Sequence, residues 1–468
     1  MLETIQVPTI QNIKAEKCKR SLFFFVKEFW HIIIPENPVY NWHIEYLCDE
    51  LQKMTVKVVN RESKDYDLII NIPPGTSKST IATVMLPVWA WTLDPRIRSL
   101  TASYSASLST DHAMKSRDII RSDKFVSYFP DLSIKKDQDN KTHYKNEHGG
   151  ERYATSVTGT VTGFHAHIII VDDPLNPKGS SSEADRLTAN SFMDRTLSTR
   201  KVSKSVIPTI LVMQRLHELD CTGNWIDKKD KKIKHICLPG ELSNDVKPEY
   251  LKENYINGLL DPIRLSVNDL KELKTDLGSY GYAGQIMQTP SPTDGGLWRE
   301  WLIPIRRKDL PQLNETGTDW DLAYTEKEMN SASAYLTAGK HEKNMYITDL
   351  GFDWLEFPKL IEYMKLRQFP HYIEGKASGK SAKQVLTNNG IPAIEVQVQG
   401  GDKIARATMA TPYAEAGMIF ICDDLIDKIY FDSKQGILVF PNGKGDDLQD
   451  ALVQSINRLL AGSQFFTF

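Results

Sequence analysis

The run Pro73-Pro74-Gly75-Thr76-Ser77-Lys78-Ser79-Thr80 carries residue types suited to holding phosphate. A lysine followed by a hydroxyl, at the start of a helix, offers a cation to the outer phosphates and a ligand to Mg2+, while backbone N–H groups face the anion. Well downstream, His167-Ile168-Ile169-Ile170-Val171-Asp172-Asp173-Pro174 is an apolar run that ends on two carboxylates. A buried strand delivering Asp172 to the same sheet edge supplies a second Mg2+ anchor. The two motifs predict an ATP site in which Pro74 to Thr80 cradle the phosphates and Ser79 and Asp172 hold Mg2+. Trp42 and His43 precede the loop at a distance where a base could stack.

A second set of acids lies in the C-terminal part. Asp319 and Asp321 alternate on one strand and so share a face. Glu374 ends an apolar run, and Asp446, Asp447 and Asp450 open an amphipathic helix. Acids crowded at strand ends suit a phosphodiesterase with two Mg2+ or Mn2+ ions about 4 Å apart, which would activate a water and stabilise a leaving 3′-oxygen. The metal ligands predicted here are Asp321, Glu374, Asp446, Asp447 and Asp450.

The elements that must position these groups read as an α/β chain. Residues 1–60 look helical, a cap with aromatic residues at helical spacing. In 61–240, strands over 67–72, 99–103, 166–171 and 205–213 alternate with helices over 78–91, 108–122 and 182–195, which argues for a mostly parallel sheet with ligands at the carboxyl ends of its strands. The glycine-rich stretch 149–163 reads as a hairpin. Residues 241–297 look charged and mostly helical, closing on a Pro/Gly/Ser/Asp linker. A last domain, 298–468, carries the second acid set, with strands over 333–338 and 345–350, a strand ending at Glu374 and a helix over 451–460.

Composition fits a large intracellular enzyme. The chain has 468 residues with a net charge of −3, so a nucleic-acid surface has to be a local patch. Its five cysteines form no CxxC pair, which argues against a zinc ribbon or disulfide scaffold. No stretch is apolar and long enough for a signal peptide or a membrane span, so a soluble, cytoplasmic protein without membrane contact is expected.

Several segments together resemble the large subunit of tailed-bacteriophage terminases, the motor–nucleases that package double-stranded viral DNA. They are PPGTSKST, GGERYATSVTGTVTG before IIIVDDP, VMQRLHELD, QTPSPTDGGLW, DWDLA, YIEGKASG, GDKIARA and FPNGKGDDLQDAL. The resemblance implies an additional-strand P-loop ATPase followed by an RNase H-like nuclease. It implies ATP-driven DNA translocation into a procapsid and metal-dependent cutting of the concatemeric genome. It also implies double-stranded DNA, a portal protein and a small terminase subunit as partners, a homo-oligomeric ring such as a pentamer on the portal, and transient action in the host cytoplasm.

Residue by residue, the resemblance places Asp173 as the catalytic carboxylate and Gln214-Arg215 at the coupling motif. It places Asp321, Glu374, Asp446 and Asp447 at the nuclease acids, with Asp450 in support. Three positions depart from the family: Ser77 replaces a loop glycine, Phe164 an arginine, and Gln214 a threonine. The arginine finger is therefore sought at Arg152 or Arg200. Two other readings share parts of the pattern. A helicase needs the ATP site alone, and a structural ring component needs neither activity.

Overall fold

The computed structural model describes residues 9–461 except 178–179, 181, 229, 291–296, 323–331, 356, 375–378, 397–402, 433–434 and 442–444. The chain forms two compact units, Met1–Glu272 with Tyr282–Ser291, and Leu273–Gly281 with Pro292–Phe468.

The first unit opens with helices Ile10–Arg20, Leu22–Ile33 and Trp42–Val59. Ser21 caps the second by accepting from the Phe24 N–H, and Phe25, Phe29 and Trp30 of that helix are buried. Eight strands follow: β1 (Asp67–Asn71), β2 (Arg98–Ser103), β3 (Ile134–Asp139), β4 (His143–Asn146), β5 (Glu151–Ser156), β6 (Ile168–Asp172), β7 (Thr209–Met213) and β8 (Ile233–Cys237). They form one sheet in the order β3-β4-β5-β2-β6-β7-β1-β8. From β5 to β8 the sheet is parallel, and β1, β6 and β7 are buried along their whole length, as continuous apolar runs require. The strand β7 lies between β1 and β6, which is the inserted strand of an additional-strand P-loop sheet.

Two sequence expectations differ here. The stretch 149–163 forms no hairpin of its own. Only Glu151–Ser156 is strand, pairing antiparallel with β4 and parallel with β2. Glycine and threonine content marked a turn but not the upstream partner, β3–β4, whose residues are largely polar. Residues 241–297 are also less helical than expected. Besides the helix Val267–Gln285 they hold a short 3-10 turn, Glu249–Asn254, and bridges that pair Glu241 and Ile256 with Leu259.

The second unit holds β9 (Ile303–Ile305), β10 (Asn314–Asp321), β11 (Ser333–His341), β12 (Asn344–Asp353), β13 (His371–Glu374), β14 (Ala393–Val396) and β15 (Ile419–Cys422), ordered β14-β13-β10-β11-β12-β15-β9. An antiparallel meander β10-β11-β12 is extended by β13 and β14 running parallel to β10. This is an RNase H-like arrangement. The helix Asp447–Leu459 packs on β10 and β11 through Leu448, Leu452 and Ile456, all fully buried.

Candidate functional site

The register of the first sheet decides what meets at its edge. Asp172 pairs with Val212 and Asn71 with Met213, so the β1 loop, the end of β6 and Gln214 emerge at one place. The loop is tight. Thr76 Oγ1 donates to the Pro73 carbonyl at 2.7 Å, Gly75 has φ +76°, and Ser77 has φ +67°. That left-handed conformation is why a glycine suits position 77; a serine there carries strain. The helix that follows begins at Lys78, as expected, widens to a π-helical stretch over Thr80–Met85 and continues as the α-helix Leu86–Leu93.

Asp172 is fully buried and held by neutral donors. Ser79 Oγ donates to Oδ1 at 3.0 Å and Thr83 Oγ1 to Oδ2 at 2.7 Å. Burial pushes its pKa up, against the pull of the Lys78 ammonium and the two hydroxyls. His112 Nδ1 lies 3.6 Å from the same carboxylate. The imidazole is neutral at pH 7, because burial and then the Arg152 guanidinium lower its pKa to about 4, so the contact is not an ion pair. Thr83 and His112 were missed in the sequence, although Thr83 stands one helical turn past Ser79 and so on the same face.

Asp173 sits one residue further with φ +43°. Its Oδ1 accepts from the Gln214 N–H at 3.2 Å, and its Oδ2 faces the Lys78 ammonium at 3.3 Å. Burial raises its pKa, and the neighbouring Asp172 adds to that. The Gln214 side-chain oxygen is buried with no hydrogen-bond partner among the described residues. Arg215 is committed elsewhere, to the buried carboxylate of Asp220 at 2.9 Å.

The remaining candidates lie around this centre. His43 is buried behind the loop, its Nε2 3.2 Å from the Thr76 carbonyl, and burial lowers its pKa to about 4. Trp42 packs against Tyr255, with ring centres 5.8 Å apart, and its indole nitrogen is buried. Arg152 is fully buried on β5 and donates to the Thr83 carbonyl at 2.8 Å, beneath the helix and next to His112. Its guanidinium is thus spent inside the unit, on the Thr83 carbonyl. Pro74 and Thr80 are part of the loop and of the first π-helical turn.

In the second unit, Trp320 pairs with Ile373, which sets Asp321 beside Glu374 at the carboxyl ends of neighbouring parallel strands. Asp319, two residues before Asp321 on the same face of β10, is a structural anchor. Its carboxylate is fully buried and accepts from Arg458 Nη2 at 2.7 Å and Ser455 Oγ at 2.6 Å, both on the last helix. Asp446 and Asp450 flank the Lys403 ammonium at 2.7 and 2.8 Å. Arg406, one helical turn on, lies 3.8 Å from Glu374 and 3.7 Å from Asp450. Asp447 accepts from Gln435 Nε2 at 2.6 Å, and burial raises its pKa, with the neighbouring Asp446 adding to that. Lys403 and Arg406 were legible only as part of the GDKIARA segment, without a role. Among the described residues no three His, Cys, Asp or Glu side chains gather as a metal cage.

No protein-family model and no curated protein matches the chain. In structure the chain is similar to phage large terminases. The large terminase from a thermophilic bacteriophage aligns over 88% of this chain and 99% of its own, with 10% identity and a TM-score of 0.47. The same protein in complex with ATP-gamma-S aligns over 86% and 98%, with 9% identity and a TM-score of 0.46. The HK97 bacteriophage large terminase aligns over 94% and 99%, with 13% identity and a TM-score of 0.39.

Proposed function

We propose that the chain is an ATP-driven motor that moves double-stranded viral DNA into a procapsid and cuts it with a separate metal-dependent nuclease. The observation that carries the first half is the edge at which Lys78, Ser79, Asp172, Asp173 and Gln214 meet. A lysine, a hydroxyl and two carboxylates of different surroundings are the parts that phosphoryl transfer to water needs. The fold and the segment-by-segment resemblance carry the DNA, the portal protein, the small terminase subunit, the ring and the host cytoplasm.

The residues fit Mg2+ at the first site. Asp172 is a fully buried carboxylate whose present partners are hydroxyls, and Ser79 Oγ is among them. Ser79 and Asp172 would hold the ion, which neutralises the charge that gathers on the phosphates. Lys78 leaves Asp173 for the β/γ-phosphates when ATP arrives. Asp173, freed of that ammonium and raised in pKa by burial, takes the proton of the attacking water as the bond to the β-bridging oxygen breaks. Thr83 stays behind to keep Asp172 oriented. Gln214, with an unpartnered amide oxygen beside Asp173, reports the loss of the γ-phosphate to the rest of the motor.

At the second site Asp321 and Glu374 would hold a divalent ion, which lowers the pKa of a bound water. The test is to measure both activities on one set of proteins. Asp173→Asn is expected to lower DNA-stimulated ATP hydrolysis by about a hundredfold or more and to keep Mn2+-dependent DNA nicking, while Glu374→Gln does the reverse. ATP hydrolysis without any nicking would make the chain a helicase-like remodeller, and neither activity would make it a structural ring component.

A further inference from the structure

Thr83 is held at both of its polar ends. Its hydroxyl donates to Asp172 Oδ2 at 2.7 Å, and its carbonyl accepts from Arg152 Nη2 at 2.8 Å. All three residues are buried, Arg152 and Thr83 at 1% exposure and Asp172 at 0%. Arg152 lies on β5 and Asp172 on β6, with β2 between them. One threonine therefore ties the strand that ends on Asp172 to a strand two places away.

The sequence explains why that carbonyl is open. In an α-helix the Thr83 carbonyl takes its bond from the N–H of residue 87, and residue 87 is proline. Proline has no N–H, and its ring pushes the carbonyl four residues back out of line. The helix widens there into the π-helical stretch Thr80–Met85, in which the Leu86 N–H reaches back to the Ile81 carbonyl. Side chains supply donors along this stretch, Arg152 to Thr83 and Ser116 Oγ to the Val84 carbonyl at 2.7 Å.

Arg152 is an unusual donor for that place. No carboxylate is paired with it among the described residues, and the Tyr144 phenol is what favours its charge against burial. Burying a cation without an acid is unfavourable, and a neutral amide could satisfy one carbonyl. What a guanidinium on a strand adds is a rigid, planar donor that fixes the carbonyl in place and direction.

The geometry points to Arg152 as a positioning residue of the ATP site, acting through Thr83 to orient Asp172 toward Mg2+ where Pro87 withholds the backbone donor. With Oδ2 held by Thr83, Oδ1 is the oxygen left to face the ion once Ser79 turns to it. The inference rests on the reading of the first site as an ATP and Mg2+ site.

The test measures the extra Mn2+ bound when ADP is present, over that held by the full chain alone and by ADP alone, from the electron paramagnetic resonance of free Mn2+. Metal-free ADP affinity and the melting temperature are measured beside it. Arg152→Met is expected to weaken this Mn2+ binding about tenfold or more, as loss of a group that orients a metal ligand does, with metal-free ADP affinity kept within about twofold. Thr83→Val is expected to weaken it as much, and the two substitutions together by no more than either alone, because they cut one chain of contacts. Pro87→Ala returns the N–H, so adding it to Arg152→Met is expected to restore most of the Mn2+ affinity. That pair also keeps a donor for Thr83 should Arg152→Met alone fail to fold. Unchanged Mn2+ affinity in either single variant, whatever the melting temperature does, overturns the inference. So do losses that multiply in Arg152→Met with Thr83→Val, or weak Mn2+ binding that persists when Pro87→Ala is added. Each of these leaves the ATP reading standing, whereas no ADP-dependent Mn2+ binding by the unsubstituted chain overturns both.

Discussion

The two acid sites solve one problem, crowded carboxylates at strand ends, in opposite ways. At the first, Asp172 and Asp173 are surrounded by hydroxyls, a backbone N–H and one lysine. One lysine for two carboxylates leaves a net negative charge, and burial raises both pKa values. At the second, the chain brings its own cations, Lys403 and Arg406 to Glu374, Asp446 and Asp450, and Arg458 to Asp319. The first site is built to wait for a ligand's charge. The second carries two cations of its own among its acids, and Asp319 serves the fold.

Asp319 is the sharpest point of that contrast, and its loss carries the largest expected effect. Its fully buried carboxylate receives Arg458, Ser455 and Gln454, which tie the last helix to β10. Asp319→Ala leaves the Arg458 guanidinium buried without its counter-charge, a change that costs about 3–5 kcal/mol. Urea unfolding of the full chain should show a transition for the second unit displaced by that amount, with ATP hydrolysis by the first unit retained. An unchanged transition would make Asp319 a member of the site and not an anchor.

The same contrast explains what could be read from the sequence. The loop from Pro73 to Thr80 and the strand ending at Asp172 are local patterns in which lysine, hydroxyl and carboxylate follow apolar runs in a fixed order. Thr83 was within reach, four residues beyond Ser79. His112, on the helix after β2, and the inward placement of Arg152, on β5 at the far side of β2 from β6, were not, because they depend on a strand order no local spacing records. In the second unit, Asp321 and Glu374 were legible as acids at strand ends. That Asp319 is locked to Arg458, and Asp450 drawn to Lys403, needed elements far apart in the chain. The polar β3 escaped for another reason: an edge strand exposed to water lacks the alternation that betrays a strand.

Acid should separate the sites next. His43, under the phosphate loop, and His112, beside Asp172, each take a proton only at about pH 4 in the folded chain, against an ordinary value of 6.5. For a base with a depressed folded pKa, the unfolded chain holds more protons between those limits. The two histidines therefore contribute their stability in full above pH 6.5 and lose it as pH falls toward 4, by up to about 1.4 kcal/mol per pH unit each, while Asp172 and Asp173, with pKa values raised by burial, act in the opposite direction. Melting temperatures measured across this window, from neutral pH downward, should fall, and His112→Gln should flatten part of the slope. A slope untouched by that substitution would place the sensitive groups elsewhere.

The smallest expected effect is at Ser77, and it tests whether the first site stores strain. A side chain in the left-handed region costs about 1–2 kcal/mol, and Ser77 sits there at φ +67°. Ser77→Gly removes that cost, but glycine loses more chain entropy on folding, by roughly 0.5–1 kcal/mol. The difference leaves a gain between nothing and about 1.5 kcal/mol, concentrated in a loop whose N–H groups face the phosphates. Ser77→Gly is thus expected to raise stability slightly, and ATP affinity by a small factor, without changing the turnover set by Asp173. Ser77→Ala keeps the strain and removes only the hydroxyl, so it separates conformation from hydrogen bonding. If Ser77→Ala strengthens nucleotide binding as much as Ser77→Gly does, the serine acts through its side chain, and the left-handed turn is tolerated at no cost to the site.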